Sequence, residues 1–173
     1  MASEEQRLTE RLICRRPRPS DRGGYEAVLL DSEVEVRLRA AQAPPMDEVG
    51  VAERLAADEA HWDEHGFGPW ALVERESGTV VGRGGLQWRA LKEGNFVELP
   101  WAIDSPHWNR GLATEAAEAA LAWARELGFR ETVALITPDN AASRRVAEKI
   151  GMRETDRAVH AGLLHLVYRM LLD

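Results

Sequence analysis

The stretch Phe96–Ile103 reads as a strand from the interior of a sheet, yet Pro100 stands inside it. Proline has no backbone N–H to donate to a ladder, so it is confined to edges, strand starts and bulges. The chain must therefore build a sheet that either ends at this strand or bulges and splays at Pro100. The alternation of Phe96, Glu98 and Pro100 against Val97, Leu99 and Trp101 puts Glu98 on one defined face of it.

The flanking pattern sets the fold class. Leu12–Cys14 is a short apolar strand, and Asp47 caps a helical stretch that runs to about His65. Strands follow at Trp70–Val73 and Thr79–Gly82, the second extended by Leu86–Trp88, then the Pro100 strand. Arg110–Gly128 is a helix, Thr132–Thr137 a strand, and Asn140–Ile150 a helix stopped by Gly151. Two strands near Arg153–His160 and Leu163–Leu171 close the chain. This mixed order predicts an α/β fold: one largely antiparallel, twisted mixed sheet of about seven strands, splayed at Pro100, with flanking helices. The length of 173 residues fits one domain, read as a flexible lead over 1–8 and a single domain over 9–173.

Composition narrows the function classes. No window approaches the roughly 20 apolar residues of a membrane helix, and the acidic, polar N-terminus is no secretory signal. The single cysteine, Cys14, excludes an internal disulfide and a multi-cysteine zinc site. The simplest location is the cytoplasm. The net charge of −7 argues against general nucleic-acid binding and for a cationic partner. Residues 1–66 hold 15 acidic against 9 basic side chains, whereas residues 67–173 are nearly balanced.

Two segments carry chemistry. Trp108-Asn109-Arg110-Gly111-Leu112-Ala113-Thr114-Glu115-Ala116 joins a strand to a helix. Unpaired N–H groups and the helix dipole at such a start attract anions. Gly111 and Ala113 let a phosphate approach the main chain, and Asn109 tolerates a left-handed turn, so Trp108–Thr114 can cradle a pyrophosphate. Downstream, Asn140 and Ser143 occupy the first turn of the next helix, whose Ala142, Val146 and Ile150 share one face. Plain capping by Asp139 or Asn140 is the competing role.

Together the two segments resemble the GNAT family of acetyl-CoA-dependent N-acetyltransferases, more closely its RimJ/RimL-like branch of protein N-terminal acetyltransferases. The first matches a Trp-Gly-(Lys/Arg)-Gly-x-Ala-Thr-Glu-Ala loop, and Asn140–Met152 matches an Asn-x-x-Ser helix ending in Gly-Phe; Asn109 and Met152 depart from the pattern. The resemblance implies that Asn109, Arg110, Gly111, Leu112, Ala113 and Thr114, with Trp108 beside them, bind the pyrophosphate of acetyl-CoA. It implies that the strand of Trp101 and Ile103 pairs with the pantetheine arm, which Asn140 also touches. Ser143 becomes a candidate general acid for the departing thiolate, and an N–H near Ile103 a donor to the oxyanion. Glu98 is the candidate general base for the attacking amine, with pairing to an arginine as its alternative role. The acceptor is read as a cationic amine, either a small molecule or a protein N-terminus, with no metal required, and the protein as a monomer or homodimer.

Other readings compete. A non-catalytic acyl-CoA-binding regulatory module would keep the loop but lack the base. His61-Trp62-Asp63-Glu64-His65 matches the His-x-x-Glu-His zinc signature, a remote reading as a zinc peptidase through His61, Glu64 and His65. Alternatively, Asp58, Trp62, Asp63 and Glu64 form an acidic rim for the acceptor, with a solvated helix face as the competing role. Trp88, Trp101 and Trp108 are candidate pocket walls, Trp123 helix packing, Cys14 a small buried hydrophobe, and Arg15-Arg16-Pro17-Arg18 a solvated basic cluster.

Overall fold

The structure is a computed structural model that describes residues 5–38 and 43–173. Along the chain run β1 (Gln6–Leu8), β2 (Leu12–Arg15), α1 (Arg22–Leu29), α2 (Ser32–Leu38), α3 (Glu48–His65), β3 (Pro69–Glu74), β4 (Val80–Gly85) and β5 (Gln87–Leu91). There follow β6 (Gly94–Glu98), β7 (Ala102–Ile103), α4 (Leu112–Glu126), β8 (Glu131–Ile136), α5 (Ala141–Lys149), β9 (Arg153–His160) and β10 (Leu163–Leu171). The strands form two five-stranded sheets, ordered β1-β2-β3-β4-β7 and β5-β6-β8-β10-β9. The β6–β8 pair is parallel and the other pairings are antiparallel.

The splay expected at Pro100 is carried through the whole sheet. Leu99 still donates its N–H to Val133 at 2.8 Å in the second sheet. Two residues beyond Pro100, Ala102 pairs with Arg83 in the first. The chain thus changes sheets where proline interrupts the ladder. β4 and β5 make the same crossing at the fully buried Leu86. Both expectations for proline hold in part: β6 is interior, between β5 and β8, while β7 is the edge of its sheet.

Alternation along β3 distributes the core. Trp70 and Leu72 face one cluster with α4, and the indoles of Trp62 and Trp70 stack on Trp123 at centroid distances of 5.3 and 4.8 Å. Ala71 faces the other cluster, built by Tyr25, Val28 and Leu29 of α1 and Val51 and Leu55 of α3. A Cβ on Gly24 would lie 2.4 Å from the Val80 side chain, so α1 tolerates a poor helix former to sit against β4.

Asp47 caps α3 by accepting from Gly50 N–H at 2.8 Å, as its position predicts. Cys14 is fully buried, and burial pushes its thiol up to about 12. Two expectations need correction. The flexible lead read over 1–8 is a strand from Gln6 to Leu8, zipped onto β2 and tied by the Arg7–Glu126 ion pair; residues 1–4 lie outside the described residues. The basic cluster at Arg15–Arg18 is not simply solvated: Arg15 holds the buried Asp21 by two bonds of 2.7 and 2.8 Å, and Arg16 pairs with Glu5 and Asp63. Asp21 therefore spends its carboxylate on Arg15 and the Arg18 N–H, not on capping α1.

Candidate active site

The parting of the sheets opens a cleft of about 640 Å3, walled by the starts of α4 and α5, by α2 and by the turn between β9 and β10. Most sequence-predicted site residues meet there. Glu98, Trp101, Ile103, Trp108, Asn140 and Ser143 line it, as do Asn109, Gly111, Leu112, Ala113 and Thr114.

The anion cradle is built from backbone. Asn109 has φ 60° and Gly111 has φ 77°, so the chain takes two left-handed turns before α4 begins. Gly111 is the N-cap and carries no side chain to satisfy the first turn, which leaves its N–H groups for a ligand. The loop is held from behind. Arg110 points away from the cleft and bonds Glu74 at 2.6 Å, and the Arg110 carbonyl accepts from Arg11. Arg11 in turn bonds Glu115 through its Nε at 2.8 Å and its N–H at 2.7 Å. Hydrogen bonds from Ser77 and Arg110 hold the Glu74 carboxyl below its usual range. The Arg110 side chain thus anchors the loop from behind, and its main-chain N–H stays with the cradle. The Trp108 indole N–H donates to the Ile103 carbonyl at 2.7 Å, and the Arg37 guanidinium lies 4.6 Å over its ring.

Asn140 does cap α5: its side-chain oxygen accepts the Ser143 N–H at 3.1 Å. That bond uses only the carbonyl end of the amide. Ser143 sits beside it, half-buried in the cleft wall. Tyr168 is buried behind α5 and accepts from Arg144 at 3.3 Å, outside the cleft.

Glu98 is buried, and its Oε2 accepts from Gln87 Nε2 at 2.7 Å and from Arg89 Nε at 2.6 Å. Arg89 continues to His160 Nε2 at 3.0 Å. A guanidinium can only donate, so His160 accepts on Nε2 and is neutral, and burial followed by the charge of Arg89 lowers its pKa. Sequence reasoning missed this chain. Its local signal is Gln87 and Arg89 spaced by two on a strand that pairs Gln87 directly with Glu98. Nothing local links His160 to them.

The zinc reading fails on geometry. His61 Nε2 accepts the Trp88 N–H at 3.0 Å and Nδ1 faces the Phe67 carbonyl at 2.8 Å, so both ring nitrogens are spent. Among the described residues no group of three or more His, Cys, Asp or Glu is placed to hold a metal ion. The acidic rim fails as well. Trp62 and Asp58 are buried, Asp58 against Arg83 and Tyr25, while Asp63 pairs with Arg16 outside the cleft. Trp88 packs on Phe67 and Phe129 and does not line the cleft, unlike Trp101 and Trp108.

The uncharacterised protein YkkB of Bacillus subtilis is 34% identical over 106 residues, which cover 58% of this chain and 62% of YkkB. The match thus spans less than two thirds of that relative's own length. The structure of an acetyltransferase from Agrobacterium tumefaciens superposes with a TM-score of 0.80 at 28% identity, covering 98% of this chain and 96% of that one. The structure of yncA from Salmonella typhimurium, solved with its cofactor acetyl-CoA, superposes with a TM-score of 0.71 at 25% identity, covering 94% of each chain. Residues 11–153, which run from β2 through both predicted motifs, match the acetyltransferase (GNAT) domain, and the chain belongs to that family.

Proposed function

We propose that the protein is an N-acetyltransferase of the RimJ/RimL-like branch, moving acetyl from acetyl-CoA to a primary amine by direct attack on the thioester. The observation that carries this reading is the placement of an uncapped helix start and a buried carboxylate in one cleft between two parted half-sheets. The first suits a pyrophosphate, and the second suits an amine that must lose a proton.

The residues divide the work. The N–H groups from Asn109 to Thr114 bind the pyrophosphate, with Arg145 and Lys149 of α5 adding positive charge along the same cleft. The slot at Pro100–Ile103 accepts the pantetheine as a strand-like arm, and Asn140 offers its amide N–H to it. Acetyl-CoA supplies an activated carbonyl. Glu98 receives the amine proton, directly or through water; both of its protein hydrogen bonds fall on Oε2, which leaves Oε1 for that task. As the C–N bond forms and the C–S bond breaks, Ser143 is the proton donor to the leaving sulfur. The acceptor is a small-molecule amine or a protein N-terminus.

The Arg89 contact also favours a second reading, in which Glu98 is a structural ion pair in an acyl-CoA-binding module. Glu98→Gln separates them. The enzyme reading expects kcat to fall by about a hundredfold or more, with acetyl-CoA affinity kept. An unchanged kcat removes Glu98 as base, and no thiol release by the wild type with any amine favours the binding module.

A further inference from the structure

The cleft wall beside Glu98 is rich in arginine. Arg83 leaves β4 and grips both oxygens of Asp58 on α3 at 2.6 and 2.7 Å, and it also donates to Gln87 Oε1 at 2.9 Å. The buried Tyr25 hydroxyl donates to the same Asp58 at 2.9 Å. Gln87 and Arg89 then occupy Glu98. Both carboxylates of this network are therefore engaged by partners within it.

Arg54 is the cation left over. It lies one helical turn before Asp58 on α3 and lines the cleft together with Arg83, Arg89 and Glu98. Among the described residues it makes no hydrogen bond or ion pair. Arg54 is exposed in the cleft wall, and the positive charge of Arg83, then that of Arg89, lowers its pKa. Within this network Asp58 answers Arg83 and Glu98 answers Arg89, which leaves Arg54 without a carboxylate partner.

We infer that the acceptor is an amino carboxylate, a small molecule whose carboxylate is bound by Arg54 while its amine faces Glu98. The inference rests on the acetyl-transfer reading above and narrows its acceptor to the small-molecule amine, so the likeness to the RimJ/RimL-like branch is kept for the cofactor loop and not for a protein N-terminus as substrate. A guanidinium presents a planar fork that matches a carboxylate by two parallel bonds. An anion beside Arg54 also relieves the repulsion from Arg83 and Arg89. A peptide N-terminus has an amide in place of the adjacent carboxylate and offers no such charge, so free amino acids and their analogues are selected over peptides. Arg54 thereby becomes the residue that determines specificity.

The test compares free L-amino acids with their α-amides and their decarboxylated amines, with free thiol release as readout for the wild type, Arg54→Met and Arg54→Lys. Acetyl-CoA affinity is measured separately on each protein by calorimetry. For at least one side-chain series the wild type should prefer the free acid by about tenfold to a hundredfold in kcat/KM. Arg54→Met should bring that preference close to one, mainly by raising KM for the acid, and Arg54→Lys should restore part of it. The inference is overturned if amides or decarboxylated amines are acetylated as well as the acids, if Arg54→Met leaves the preference intact, or if no free acid is turned over while acetyl-CoA binds. Failure to bind acetyl-CoA would instead overturn the acetyl-transfer reading itself.

Discussion

Asp21, Glu74 and Glu115 each face arginine, and for each the carboxyl pKa lies below its usual value. In Asp21 and Glu115 burial pushes the other way and is outweighed by hydrogen bonds, from Arg15 and Arg18 to the first and from Thr9 and Arg11 to the second. A depressed folded-state pKa contributes stability that is present above the unfolded value and lost as pH falls through the folded one. Asp21 carries most of it, because the partners of Glu74 and Glu115 are 42% and 40% exposed and water screens them. Burial also lowers His61 and His160 from 6.5, so the unfolded chain takes up protons before the folded one does. Asp104, raised by burial, works in the opposite direction. The urea midpoint should be flat from about pH 7 to 8, decline gently below about pH 6.5, fall steeply below about pH 4, and fall again above about pH 9, where the unfolded chain releases the Cys14 proton that burial retains. A midpoint that rises on acidification below neutrality contradicts these assignments. At this scale the sequence was legible where a residue acts through its own backbone position, as Asn109, Gly111 and Asn140 do. It was not legible where a side chain finds a distant partner, as Asp58 does with Arg83, 25 positions away.

Among the elements, those with strong local signals read well. The last two strands lie at Arg153–His160 and Leu163–Leu171, where the sequence puts them, and α3 starts after its Asp47 cap. What alternation did not show is that the strands on both sides of Leu86 and Pro100 belong to different sheets. That division is set by packing across the molecule. The close approach of β4 and β7 depends on Gly82, where a Cβ would lie 2.5 Å from the Ala102 carbonyl oxygen. Backbone cannot yield there as a flexible side chain can. Gly82→Val should therefore push β7 off its edge and destabilise the protein by about 1–3 kcal/mol, read as a lower urea midpoint. It should also weaken acetyl-CoA binding, since Ile103 carries Trp108 on its carbonyl. Wild-type stability in this variant would mean that the edge pairing is dispensable.

For the whole molecule, the charge of −7 acquires a different meaning. The acidic surplus in the first 66 residues does not gather at the cleft. Several of its carboxylates are held in ion pairs: Asp21 with Arg15, Glu26 with Arg22, Asp58 with Arg83, Asp63 with Arg16. The cleft shows arginine beside Glu98 and the uncapped start of α4. Counting charges along a chain does not show which of them fold against each other, and so it pointed to an acidic rim that the structure does not have. The shape of the cleft was more legible, because Pro100 and Gly111 limit the backbone directly. The central claim is that parting the sheets there makes an acetyl-CoA site with its pyrophosphate on the start of α4. Titration calorimetry of acetyl-CoA into the wild type and into Gly111→Val, both checked for folding by thermal melting, tests it most directly. Valine is strained at φ 77°, and its Cβ would crowd Arg11 Nη2 at 3.3 Å. The account predicts one site per chain in the wild type and an affinity at least about tenfold weaker in the folded variant. No binding by the wild type, or equal binding by both, contradicts it.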